Sequence, residues 1–123
     1  MKYMLLIATD PEQFGKLPAT EQEGWHGEYF AFTKALVDAG EMVSGEALHG
    51  NDTATTVSVR DGETVATDGP FVDIKEVIGG YYVVDVPDLD RAIELAAMIP
   101  DARVGGVEVR PIVEMPEMPR PTD

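Results

Sequence analysis

The chain contains no cysteine, which excludes disulfides and thiolate-held zinc. No apolar run approaches the roughly 18 residues of a membrane-spanning helix, so none is expected. Basic residues are scarce: nine Lys and Arg stand against 23 Asp and Glu, a formal net charge of −14 at pH 7. Such a surface repels phosphate backbones, and neither nucleic acid nor membrane is an expected partner. The plainest meaning of the acidity is solubility, or a salty or acid-rich proteome. Nucleotide-binding patterns are missing too. Gly79-Gly80 belongs to neither a P-loop nor a G-x-G-x-x-G turn. Ser44 and Ser58 lie outside any G-x-S-x-G elbow. His26 and His49 have no H-x-x-x-H spacing, so no metal site and no cofactor are expected. The first residues lack the positive, apolar and small-residue order of a signal peptide, so the expected compartment is the cytoplasm.

What is present suits one globular domain. The 123 residues are 44% hydrophobic and 26% charged, ordinary values for a soluble core-forming chain. Residues 1–114 carry the regular patterning, and 115–123 form a Pro-rich tail with Pro116, Pro119 and Pro121.

The chain is organised around DGPFVDIKEVIGGYYVVDV, Asp68 to Val86. Asp68-Gly69-Pro70 is a turn by mechanism: Gly69 permits positive φ, Pro70 fixes its own φ, and Asp68 can accept from nearby backbone N–H groups. Phe71 follows as an apolar anchor. Tyr81 to Val86 is dense in aromatic and β-branched residues, as strands are. Pro87 ends it.

Before that stretch, Lys2 to Ala8 is a strand apolar on both sides, with Tyr3, Leu5 and Ile7 alternating against Met4, Leu6 and Ala8. Thr9-Asp10-Pro11 breaks it, and a loop with Gly15 and Pro18 follows. Thr20 and Glu23 form a capping box that predicts a helix to about Ala39, with Gly40 after its end. Trp25, Tyr29, Phe32 and Leu36 make its apolar stripe. Glu41–Leu48 and Thr53–Arg60 read as strands, and Asp61-Gly62 as a hairpin turn returning through Glu63–Thr67. Asp88 caps a second helix through Ile99, with Leu89, Ile93 and Ala96 facing inward. Val107–Val113 is the last strand, Val107 and Val109 on one face, Glu108 and Arg110 on the other.

The order is β-α-β, a hairpin insertion, then β-α-β. It predicts an α+β fold with an antiparallel sheet and two helices on one face. Both Tyr81/Val83 and Tyr82/Val84 are apolar pairs, so the sheet's second face also needs cover. A second copy of the chain is the simplest cover, giving a homodimer packed sheet to sheet.

DGPFVDIKE followed by GGYYVVDV resembles the DGPF subgroup of YCII-related proteins, whose signature is usually written DGPFAETKE. Val72, Asp73 and Ile74 replace its Ala-Glu-Thr. KYMLLI at the start, TATTVSVR around residues 53–60 and GGVEVRP at 105–111 also resemble the family. The resemblance implies a ferredoxin-like dimeric α+β barrel. It implies little about function. Some relatives are encoded beside sigma factors, distant ones include a dehydrochlorinase, and distant relatives carry a His in the first helix and an Asp proposed as an acid/base pair.

Chemistry has few candidates. Asp68 is either a carboxylate at a pocket mouth, acting as a base, or a structural turn residue that needs no ligand. His26 borders the apolar stripe and can shuttle a proton near pH 7, or is simply exposed at a helix edge. Lys75, Phe71 and Tyr82 are candidate ligand-binding residues, Lys75 and Glu76 reading equally as solvated surface. Three functions stay open: a small-molecule-binding or regulatory homodimer, a small cofactor-free lyase or isomerase using His26 and Asp68, and an interaction partner tied to sigma-factor regulation.

Overall fold

A computed structural model describes residues 1–71, 76–115, 119 and 121. Strand β1 (Lys2–Thr9) is followed by two short helices, α1 (Pro11–Gly15) and α2 (Ala19–Glu23), and the long helix α3 (Trp25–Asp38). Then come β2 (Met42–Ala47), the hairpin β3 (Thr55–Arg60) and β4 (Glu63–Asp68), and β5 (Val77–Asp85). Helix α4 (Leu89–Met98), a 3-10 turn (Pro100–Arg103) and β6 (Gly106–Pro111) complete it.

Four strands form an antiparallel sheet in the order β2-β5-β1-β6. The hairpin is a separate two-stranded sheet, as expected of an insertion. Removing it leaves β-α-β-β-α-β with the first and third strands central, the ferredoxin-like arrangement. The register decides which residues enter the core. Leu5 sits between Tyr82 on β5 and Val109 on β6. With Tyr3, Ile7 and Val84 they form the inward face, against Phe32 and Leu36 of α3 and Leu95 and Ile99.

Helix ends follow local chemistry. Asp10 accepts from Glu12 N at 3.1 Å and Gln13 N at 3.4 Å, so the stretch expected to be loop opens instead with the capped helix α1. At the end of α3, Gly40 has φ +71. Glu41 N donates to Leu36 O and Gly40 N to Val37 O, each at 3.0 Å, the paired bonds of a Schellman stop. The expected Thr20 capping box does not form. Pro18, at φ −55 and ψ 147, precedes a helix that already begins at Ala19, which puts Thr20 inside the first turn. Gly24 then divides α2 from α3, consistent with its low helix propensity.

The second helix also differs from expectation. Leu89 and Ile93 are 47% and 50% exposed, whereas Ala92, Leu95 and Ala96 are buried. Two overlapping stripes share Ala96 in this sequence. The sheet takes the one whose small alanines allow close approach and whose Leu95 and Ile99 fill the space between α4 and β1.

The start of α4 is tied to the start of β2 by a fork. Arg91 donates from Nε and Nη2 to the two Glu41 carboxylate oxygens at 2.9 and 2.8 Å. That bond, outweighing partial desolvation, holds the Glu41 carboxyl below its ordinary range. Glu41 therefore binds a proton less readily folded than unfolded. Its contribution is fully present above the unfolded carboxyl value and is lost as pH falls through the folded one. Glu41→Gln is expected to lower Tm at pH 7, with the gap to the parent closing below about pH 4. Calorimetric melts across this range check it, and a gap independent of pH would assign the effect to something other than the ion pair.

Candidate functional site

A cavity of about 520 Å³ lies between α3 and the inward face of the sheet, near the ends of β1 and β2 and the start of β5. Its room comes from missing side chains. Gly45 on β2 faces Tyr82 in the register, and a Cβ there would stand 2.9 Å from the Tyr82 ring and 3.1 Å from Met42 Cε. Gly79 and Gly80 border it where the β1–β5 pairing shifts register by one residue. Five aromatic residues, Phe14, Trp25, Tyr29, Tyr81 and Tyr82, contribute to its wall. Phe14 packs edge-on against Trp25 at 5.1 Å between centroids, and Phe32 does the same to Tyr82 at 5.2 Å.

The polar end is built by three elements far apart in sequence. Asp101, in the turn after α4, is 5% exposed. Thr9 of β1 donates its hydroxyl to one Asp101 oxygen, and Tyr29 of α3 donates to the other. Among the described residues Asp101 forms no ion pair. Arg103, two residues on, is engaged elsewhere: it forks onto Glu28 at 3.0 and 3.1 Å and lies 4.8 Å over the Trp25 ring. Burial first, then the bond to Asp101 and its charge, pushes the Tyr29 phenol well above its ordinary value, so Tyr29 stays a protonated donor at every physiological pH. One helical turn on, Thr33 and the Tyr82 hydroxyl share a hydrogen bond of 2.6 Å.

Two of the residues singled out in the sequence meet here: His26 and Tyr82 both border the cavity. His26 is otherwise exposed. Asp68 and Phe71 are not among the lining residues. Asp68 ends β4, exposed and opposite Thr55. Its carboxylate makes no hydrogen bond among the described residues. The turn is held instead by Gly69, at φ +106, whose N–H donates to Ala54 O at 2.8 Å. Phe71 is 79% exposed, so it anchors nothing within the described chain. Lys75 lies outside the described residues. Asp101 was invisible to sequence reading: an Asp after Pro100 looks like any helix stop, and its partners are 92 and 72 residues away. Tyr29 was visible only as part of an apolar stripe.

No group of three or more His, Cys, Asp or Glu among the described residues is placed to hold a metal ion. No helix among them is long and apolar enough to cross a membrane.

Comparison with known proteins places this architecture. In solved structures, the chain is similar to 5-chloro-2-hydroxyhydroquinone dehydrochlorinase (TftG) from Burkholderia phenoliruptrix AC1100, in complex with 2,5-dihydroxybenzoquinone. The TM-score is 0.52 at 11% identity, over 94% of this chain and 96% of that one. At that identity the likeness speaks for the fold. In sequence, the chain is 31% identical over 114 residues to the uncharacterized protein R00369 of Rhizobium meliloti (strain 1021), covering 91% of this chain and 92% of the relative. The YCII-related domain model matches residues 1–116, and the chain belongs to the YCII-related family.

Proposed function

We propose that this protein binds a small cyclic molecule in the cavity beneath α3. The observation that carries the reading is the lining itself: aromatic walls converging on a buried carboxylate whose bonds position it at one end. A cavity of about 520 Å³ falls within the range of sites for small ligands, which are mostly apolar with a few placed polar groups. The dehydrochlorinase neighbour, crystallised with a six-membered dihydroxybenzoquinone, supports a cyclic ligand in this fold. Trp25 is the only tryptophan and borders the cavity, so its fluorescence reports on that site. A fragment screen read by Trp25 emission should yield ring compounds that shift it. A screen in which cyclic fragments leave the emission untouched would end the binding reading.

A second reading, a cofactor-free proton-transfer enzyme of lyase or isomerase type, is favoured by His26 and Asp101 bordering one cavity. Here Asp101 takes the acid/base place that Asp68 holds in the sequence argument. His26→Gln would then abolish turnover of a bound fragment while leaving its affinity in place. Equal loss of both would return His26 to a binding role.

As assembly, we expect a homodimer through the sheet's outer face. Met4 and Leu6 pair with Val83 and Tyr81 on the side away from the core, an apolar centre on a face with no helix over it among the described residues. Sedimentation at micromolar concentration should give twice the 13.3 kDa chain mass, and a 13.3 kDa particle would remove the dimer.

A further inference from the structure

Taking the cavity to be a ligand site, as argued above, we propose that its ligand is an organic cation: a protonated amine on an aromatic or cyclic body, with its ammonium at Asp101.

The polar end has spent its donors and kept its acceptors. Thr9 and Tyr29 each have one hydroxyl proton, and both protons are committed to Asp101. What these hydroxyls still offer a ligand is lone pairs. The carboxylate, with about four acceptor positions, has used one on each oxygen and offers the rest. The Thr9–Asp101–Tyr29 cluster therefore presents acceptors only. Holding Tyr29 protonated maintains that state. A ligand carbonyl, quinone oxygen or carboxylate placed there meets lone pairs and negative charge. A group that only donates fits, and an ammonium has three donors and no acceptor.

Charge points the same way. Among the described residues, those bordering the cavity include the acids Asp101 and Glu46 and no lysine or arginine. His26 is the one histidine among these described residues. Arg103, the cation nearest in sequence, gives its hydrogen bonds to Glu28 and lies over the Trp25 ring. The Asp101 carboxylate is bonded to two neutral hydroxyls, and Arg103, which feels its charge, spends its hydrogen bonds on Glu28, so a bound cation would add the direct partner that the buried acid lacks among the described residues. The aromatic wall adds to this, since ring faces attract ammonium groups.

The test uses three probes of one shape: 2-phenylethylamine, 2-phenylethanol and 3-phenylpropionate, titrated against the whole chain by Trp25 fluorescence and calorimetry. High salt screens the general attraction of an acidic surface for cations. The amine is expected to bind at least about tenfold more tightly than the alcohol, with the carboxylate weakest. Asp101→Asn keeps the shape and should bring the amine down to the alcohol's affinity. An alcohol that binds as well as the amine would overturn the cationic assignment and leave the cavity a binding site. An amine preference that survives in Asp101→Asn would assign it to surface charge and overturn the proposal equally. Failure of all three probes to bind would overturn the cation proposal and count against the cavity reading together. The comparison on the unmodified chain decides the matter even if the variant fails to fold.

Discussion

Gly105→Ala is expected to destabilise the fold by about 3 kcal/mol or more, at the upper end of what overpacking costs. A Cβ at residue 105 would stand 2.0 Å from Ala8 O, 2.9 Å from Ala8 C and 3.1 Å from Asp10 N. All three are backbone atoms, so no side-chain rotation relieves the clash. The contact lies where β6 joins the sheet: Gly106 pairs with Ala8, and the pairing runs on to Pro111 opposite Tyr3. Pushing residue 105 away withdraws the start of this ladder, and β6 supplies Val107 and Val109 to the edge of the core. The same movement strains the Gly105 N–H bond to Asp101 O, 2.8 Å long, and so reaches the cavity's carboxylate. Urea melts should show a much lower midpoint at an unchanged slope. Gly106→Ala is the control, because a Cβ there meets nothing within 4 Å. Equal loss in both variants would mean that glycine matters here for some reason other than close approach.

Leu5→Ala should cost about 3 to 4 kcal/mol. Leu5 is 0% exposed at the centre of the sheet, flanked by Tyr82 and Val109. Truncation leaves a void bounded by two strands already fixed by their ladders, which limits collapse into it. Leu5→Val keeps most of the volume and should cost about a third as much. The contrast matters for the site as well. Tyr82 is held between Leu5, Phe32 and Thr33, so loosening its Leu5 side should also broaden the emission response of Trp25 to ring compounds. A Leu5→Ala chain as stable as Leu5→Val would show that the helices close onto the gap.

The sequence by itself determined the strands, the body of the two longer helices and the antiparallel pairing, but not the short helices α1 and α2. A run apolar on both sides marked β1, aromatic and β-branched density marked β5, alternation marked β6, the stripe Trp25–Leu36 marked α3, and Asp61-Gly62 marked the hairpin, where both residues do adopt positive φ. These signals are local: a period of two or 3.6 residues, or a turn that only certain side chains allow. The DGPF stretch likewise announced the family. What the tertiary structure alone decided was which of two workable choices the chain adopts, and where distant groups meet. Helix α4 carries two apolar stripes, and only packing against β1 selects Ala92, Leu95, Ala96 and Ile99 over Leu89 and Ile93. Asp68, prominent within its motif, ends on the exposed hairpin, because the insertion forms its own sheet away from the cavity. Asp101, inconspicuous in the chain, becomes the cavity's acceptor because the turn after α4 brings it back to β1 and α3. Local periodicity carries no information about such meetings. They depend on the crossing of elements tens of residues apart, and the site consists of little else.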